Sequence, residues 1–209
     1  MPNYRRADMT GATYFFTLVS HRRRPILCDD AIRLSLREAI TTVQNKHAFD
    51  IDAWVLLPDH LHCIWTLPEN DHAYSVRWSM IKRLVTQAVG AHGAPYDNLR
   101  QEGRVRRAHH EHPQQAYPDH RVHHPHVSAS RMRRREGCIW QRRFWEHRVR
   151  DQADMNRCLD YLHWNPVKHQ LVSRVAEWPF STFHRYVREG AYPQDWGGQG
   201  VAEEGAFGE

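Results

Sequence analysis

The sequence predicts an α+β fold: an antiparallel sheet with helices packed on one face. Two observations carry this. Apolar runs of strand length alternate with segments of helical periodicity, in the order strand, helix, strand, strand, helix, insertion, strand, helix. The middle two strands are separated only by Pro58-Asp59, a link short enough to impose an antiparallel hairpin. Read together, the order is ferredoxin-like in its plainest form.

Each element has its own signal. Tyr14-Phe15-Phe16-Thr17-Leu18-Val19 is apolar throughout and reads as a buried first strand, followed by the basic turn Arg22-Arg23-Arg24-Pro25. Asp29 or Asp30 can cap a helix with Ile32, Leu36, Ile40 and Val43 at helical spacing. The hairpin strands run from Ile51 to Leu57 and from His60 to Leu67. Asp71 or Ser75 then opens a helix with Trp78, Ile81, Leu84, Val85 and Ala88 on one stripe. Cys138 to His147 reads as a mixed aromatic and basic strand. Asp151 caps the last helix, in which Met155, Cys158, Leu159 and Leu162 form the apolar face and Pro166 is the stop.

Residues 1–91 and 138–188 are thus expected to form one domain. Between them, 92–137 lacks periodicity, holds 8 of the 17 histidines and reads as a flexible His/Arg-rich insertion. The 189–209 tail, rich in Gly and acid, is expected to fray from about Gly190.

Composition narrows the function. No run approaches the roughly 18 apolar residues of a membrane span, and no signal-peptide pattern opens the chain, so a cytoplasmic protein without a membrane partner is expected. Cys28, Cys63, Cys138 and Cys158 are widely spaced, which argues against a zinc ribbon or a disulfide framework. Net charge is +5, and residues 100–150 concentrate it, with 13 Arg against 5 acids. An Arg-rich block near Trp140, Phe144 and Trp145 suits phosphate contact and base stacking; a solvated charged loop explains 100–136 equally well.

The chemistry centres on Leu57-Pro58-Asp59-His60-Leu61-His62-Cys63-Ile64-Trp65. On a strand, side chains alternate faces, so His60 and His62 point the same way and Leu61 the other. Two imidazoles side by side on a rigid strand make half of a divalent-metal site. With so many histidines, chance alone supplies roughly 1.4 His-x-His triplets. His110/His112 and His124/His126 indeed recur, both in low-complexity sequence. The apolar strand between Pro58 and Pro68 sets His60 and His62 apart.

Tyr161 and Asn165 are four residues apart, so they stack on one helix face about 6 Å from each other. Alone, they read as a packing residue and a helix C-terminal cap. Beside the histidine strand, the Asn165 oxygen could be a third ligand. Open positions on Mg²⁺ or Mn²⁺ would then take a phosphate oxygen, with Tyr161 attacking phosphorus.

Several segments together resemble a known family: Gly11-Ala12-Thr13-Tyr14-Phe15-Phe16-Thr17, Leu57 to Pro68, Ile139 to His147, Tyr161-Leu162-His163-Trp164-Asn165-Pro166-Val167-Lys168-His169 and Trp178-Pro179-Phe180-Ser181. They are similar, in order, to the REP-associated tyrosine transposases, relatives of the single-strand insertion-sequence transposases of the single-tyrosine HUH class. The resemblance covers roughly residues 4–90 and 138–188. It implies His60 and His62 as the HUH pair on a central strand, Tyr161 as nucleophile and Asn165 where relatives place a metal-binding amide, with Mg²⁺ or Mn²⁺ as cofactor. It further implies single-stranded DNA hairpins of the REP palindrome type as substrate, cut through a 5′-phosphotyrosine. The implied setting is the bacterial cytoplasm, on the nucleoid when DNA-bound, as monomer or homodimer.

Charge and position nominate DNA contacts at Arg5, Arg6, Arg22, Arg23, Arg24, Lys82, Arg83, Arg142 and Arg143, with Trp140 for stacking. Two other classes stay open: a non-catalytic hairpin-binding protein and a metal-dependent RNA-processing nuclease.

Overall fold

Tyr14, Phe16 and Leu18 face one side of the first strand, Phe15 and Thr17 the other, and all five are buried. A strand apolar on both faces needs cover on both, and this requirement organises the molecule. The computed structural model describes residues 9–91 and 139–198. Arg5, Arg6 and the 92–137 segment lie outside the described residues.

The elements are β1 (Thr13–Val19), a 3₁₀ turn (His21–Arg23), α1 (Asp30–Gln44), β2 (Asp50–Leu56), β3 (His60–Thr66), α2 (Tyr74–Ala91), β4 (Trp145–Arg148), α3 (Gln152–Lys168), a second 3₁₀ turn (Val175–Glu177) and α4 (Phe183–Arg188). The sheet order is β2-β3-β1-β4, antiparallel throughout. The α+β class and the ferredoxin-like order hold, with the histidine strand β3 in the interior of the sheet.

On one face α1 and α2 pack together. Ile32, Leu36, Ala39 and Val43 of α1 and Trp78, Ile81 and Val85 of α2 enclose Tyr14, Phe16, Leu18, Leu61, Cys63 and Trp65 of the sheet. Trp65 and Trp78 stack with ring centroids 3.9 Å apart. Arg77, also buried, ties α2 to the preceding loops: its guanidinium donates to both Asp71 carboxylate oxygens (2.9 and 2.6 Å) and to the Ala48 carbonyl (2.7 Å).

The expectation of helices on one face is met by α1 and α2 and corrected by α3, which covers the opposite face. Cys158, Leu159, Tyr161 and Leu162 pack there on Phe15, Ala53, Val55, Leu57 and Ile64. Three local readings change as well. The strand expected over Cys138–His147 pairs with β1 only over Trp145–Arg148, with Trp140 bridging singly to Ser20. Pro166 does not stop α3, which continues to Lys168 because His169 N–H still reaches the Asn165 carbonyl (3.0 Å). The chain does not fray at Gly190: Tyr192 donates to Asp160, and Tyr192 and Trp196 pack on Phe183.

The Trp178-Pro179-Phe180-Ser181 motif lines the outer edge of β2. Leu56 N–H donates to the Phe180 carbonyl (2.9 Å), and Trp178 Nε1–H to the Leu56 carbonyl (3.0 Å). It thereby occupies part of an edge that would otherwise stay open to other strands.

Candidate active site

The turn before β3 is pinned from both sides. Leu57 N–H donates to the His60 carbonyl (2.8 Å), while Ser20 and Leu27 N–H groups donate to the carbonyls of Asp59 (2.7 Å) and Pro58 (2.8 Å). His60 therefore enters the sheet opposite Val19, and His62 opposite Thr17. Both imidazoles are buried on the α3 face, with ring centroids 5.0 Å apart.

Each ring is fixed through its Nδ1. His60 Nδ1 donates to Asp59 Oδ1 at 2.6 Å, and His62 Nδ1 lies 2.9 Å from the Thr17 hydroxyl. A carboxylate can only accept, so the bond places a His60 proton on Nδ1 and turns Nε2 toward Asn165. Asp59 is itself held by Arg23 (3.1 Å). Burial alone would raise the Asp59 carboxyl, but the hydrogen bonds from His60 and Arg23 and the Arg23 charge outweigh it and hold it below its usual range.

α3 supplies the other half of the site. Asp151 caps it through a 2.8 Å bond from Asp154 N–H, and its buried face sets Tyr161 and Asn165 against β3. The Tyr161 ring meets His62 edge-on at 5.5 Å between centroids and Phe15 at 6.2 Å. Asn165 Oδ1 lies 3.3 Å from His60 Nε2. The four residues predicted to work together are therefore in one place.

Two further side chains join them. Lys168, one turn beyond Asn165, donates from Nζ to the Tyr161 hydroxyl at 2.8 Å. The His169 ring lies 4.9 Å from that of His60. Both belong to the quoted Tyr161–His169 segment, yet ending the helix at Pro166 hid their place. Thr17 was invisible for another reason: a cross-strand partner depends on register.

The predicted DNA contacts divide. Arg22, Arg23, Arg83, Arg142 and Arg143 are exposed and Arg24 half-buried. The Arg22–Arg24 turn adjoins the His60 end of β3 through the Arg23–Asp59 pair. Arg22 and Arg23 both adopt left-handed backbone (φ 58° and 50°). Lys82 is already engaged, donating to the Gln141 carbonyl (3.0 Å) and lying over the Phe144 ring. Trp140 is corrected outright: its indole is buried in the α1–α2 core and offers no stacking face.

Among the described residues a second group has metal-ligand chemistry: His147, Asp154 and Cys158, with ligand atoms within 4.8 Å of one another. Its electrostatics oppose a cation. Asp154 already accepts from Arg150, Arg157 and His147. The Arg150 hydrogen bond leads in holding its carboxyl well below the usual range. Burial pushes the Cys158 thiol up to about 12. This is an ion network closing the β4–α3 junction.

Comparison with known proteins bears on the family and the fold. The family model described as "Transposase IS200 like" matches residues 8–85, which hold β1 to β3 and the histidine pair. A REP-associated tyrosine transposase of Escherichia coli (strain K12) is 38% identical over 198 residues, 95% of this chain and 92% of that protein. A relative from Haemophilus influenzae of the same family name is 37% identical over 95% of this chain and 94% of its own. A solved structure of a REP-associated tyrosine transposase bound to a REP hairpin superposes with a TM-score of 0.72 at 38% identity, covering 100% of this chain and 98% of that one. Similarity of this depth over nearly the whole sequence means that the chain belongs to the REP-associated tyrosine transposases, enzymes of the IS200-like transposase family.

Proposed function

We propose that this enzyme cuts and rejoins single-stranded DNA at REP-type hairpins, with Tyr161 as nucleophile and a divalent cation at His60, His62 and Asn165. The observation that carries the reading is the placement of Tyr161 against His62 while Asn165 meets His60. The hairpin substrate is supported by the similar structure, which is bound to a REP hairpin.

The chemistry is a phosphodiester exchange. The Tyr161 oxygen attacks phosphorus and loses its proton; the bond from phosphorus to the 3′ oxygen breaks, and that oxygen leaves as a hydroxyl. The 5′ phosphate stays on the tyrosine. Attack by a 3′-hydroxyl on phosphotyrosine reverses every bond change, so one ester is exchanged for another and resealing needs no outside energy.

The donor set fits a divalent ion. His60 Nε2 and Asn165 Oδ1 lie 3.3 Å apart, close enough for both to hold one ion once Nε2 is unprotonated. Two imidazoles and one amide leave positions for water and phosphate oxygen, which suits Mn²⁺ or Mg²⁺. Bound there, the ion would polarise the phosphate and offset its developing charge. Asp59 and Thr17 orient the two rings, and Phe15 packs edge-on against Tyr161. Arg22, Arg23, Arg24, Arg83, Arg142 and Arg143 are the candidates to grip phosphates, together with Arg5 and Arg6.

Incubation of hairpin DNA with Mg²⁺ or Mn²⁺ tests the reading. A denaturant-resistant protein–DNA adduct is expected, absent in Tyr161→Phe and with chelator. Binding without an adduct in the native enzyme would indicate a hairpin-binding protein, and cleavage of RNA without an adduct an RNA-processing nuclease.

A further inference from the structure

Resting on that reading of Tyr161, we infer that Lys168 is a second catalytic residue, whose ammonium holds the nucleophilic oxygen and balances its charge in both directions of the exchange. The warrant is contact with the reacting atom. Lys168 Nζ donates to Tyr161 Oη at 2.8 Å and lies 4.7 Å from the centre of the same ring.

The placement follows from the helix. Tyr161, Asn165 and Lys168 stand at i, i+4 and i+7, one stripe of α3. Lys168 reaches the stripe only because the helix persists beyond Pro166, for which the His169 N–H to Asn165 carbonyl bond is the local closure. The contact is half-buried, where a charge-assisted hydrogen bond is stronger than in open water.

In the cutting direction the phenol gives up its proton as its oxygen bonds to phosphorus, and an ammonium donor favours the anionic oxygen over the neutral one. In resealing the same oxygen departs from phosphorus with the electron pair of the broken bond. The Lys168 N–H groups then meet the negative charge as it appears and hold the phenolate until it is reprotonated. One cation thus serves the oxygen as nucleophile and as leaving group.

The test compares native enzyme with Lys168→Met, Lys168→Gln and Lys168→Arg, using hairpin DNA with Mn²⁺ in single-turnover adduct formation and in resealing of the isolated adduct by a 3′-hydroxyl oligonucleotide. Lys168→Met should slow both steps by about a hundredfold, the scale for losing one preorganised donor at a developing anion. Hairpin Kd and thermal midpoint should stay near native values. Lys168→Gln, which keeps a donor without charge, should remain slow, and Lys168→Arg should recover most of the rate. Equal rates in native and Lys168→Met enzymes overturn the inference and leave the nucleophile assignment standing. So does a rise in Kd with unchanged rate at saturation, which makes Lys168 a phosphate contact. Absence of any adduct in the native enzyme overturns the Tyr161 reading and this inference with it. Should Lys168→Met fail to fold, the Gln and Arg pair still decides.

Discussion

Asp59 shows how much one side chain can settle. It accepts from His60 Nδ1 and from Arg23, so it sets the tautomer of a proposed metal ligand and anchors the basic turn beside it. Asp59→Asn should weaken Mn²⁺ binding by about 10- to 100-fold, the usual effect of removing a partner behind a ligating imidazole. Calorimetric titration of the DNA-free protein would check it, and an unchanged affinity would separate Asp59 from the site. His163, packed against Phe183, Tyr186 and Tyr192, illustrates a different use of histidine. Burial drives its pKa down to about 3, the Arg185 charge adds to this, and Nε2 lies 3.1 Å from the Thr182 hydroxyl. Between pH 6.5 and about 3 the unfolded chain binds a proton that the folded chain refuses, so stability is full above 6.5 and falls as pH drops, by up to about 1.4 kcal/mol per pH unit. Urea midpoints should fall less steeply from pH 7 through 5.5 to 4.5 in His163→Gln than in the native protein. Sequence alone could nominate His60 and His62 because their spacing and strand context are local. It could not tell a neutral core imidazole at His163 from a functional one, since that depends on what packs around it.

At the scale of elements, α3 carries most of what the sequence left hidden. Its cap and apolar face were legible: Asp151 does cap it, and Asp151→Ala should cost about 1 kcal/mol in denaturant unfolding. Its length was not, because proline in a helix interior normally costs about 3 kcal/mol and argues for a stop. Here Pro166 lies in the last turn and is buried, so packing and the bonds beyond it outweigh the local penalty. The α1–α2 layer was read more fully, since its stripes follow simple helical spacing. Its buried cation was overlooked. Arg77 bridges Asp71 and the carbonyls after α1, and Arg77→Leu should destabilise by about 3 kcal/mol by stranding these groups. A circular-dichroism melt with little change would refute that account.

For the molecule as a whole, strand order was readable from element order, while the second layer was not. The apolar run of β1 marked a buried strand, yet nothing in the spacing says that a later helix covers the second face of the sheet. Trp140 failed for the same reason, as an aromatic beside arginines suits a base-stacking surface or a core equally until the packing is seen. Phosphate contact by the exposed arginines predicts a strong salt dependence. The hairpin affinity should fall linearly on logarithmic axes, with slope shrinking by about 0.7 for each contacting Arg removed, the single-strand value. Arg142→Ala and Arg22→Ala test it; an unaltered slope removes either residue from the interface.

Imidazole pair, amide, phenol and ammonium all come from one polypeptide, with α3 folded back over its own sheet. The proposed site is thus complete within one copy, so two crippled copies would have nothing to lend each other. A mixture of His62→Ala and Tyr161→Phe proteins should stay inert on hairpin DNA at any ratio, whereas an enzyme that traded helices between subunits would regain activity on mixing.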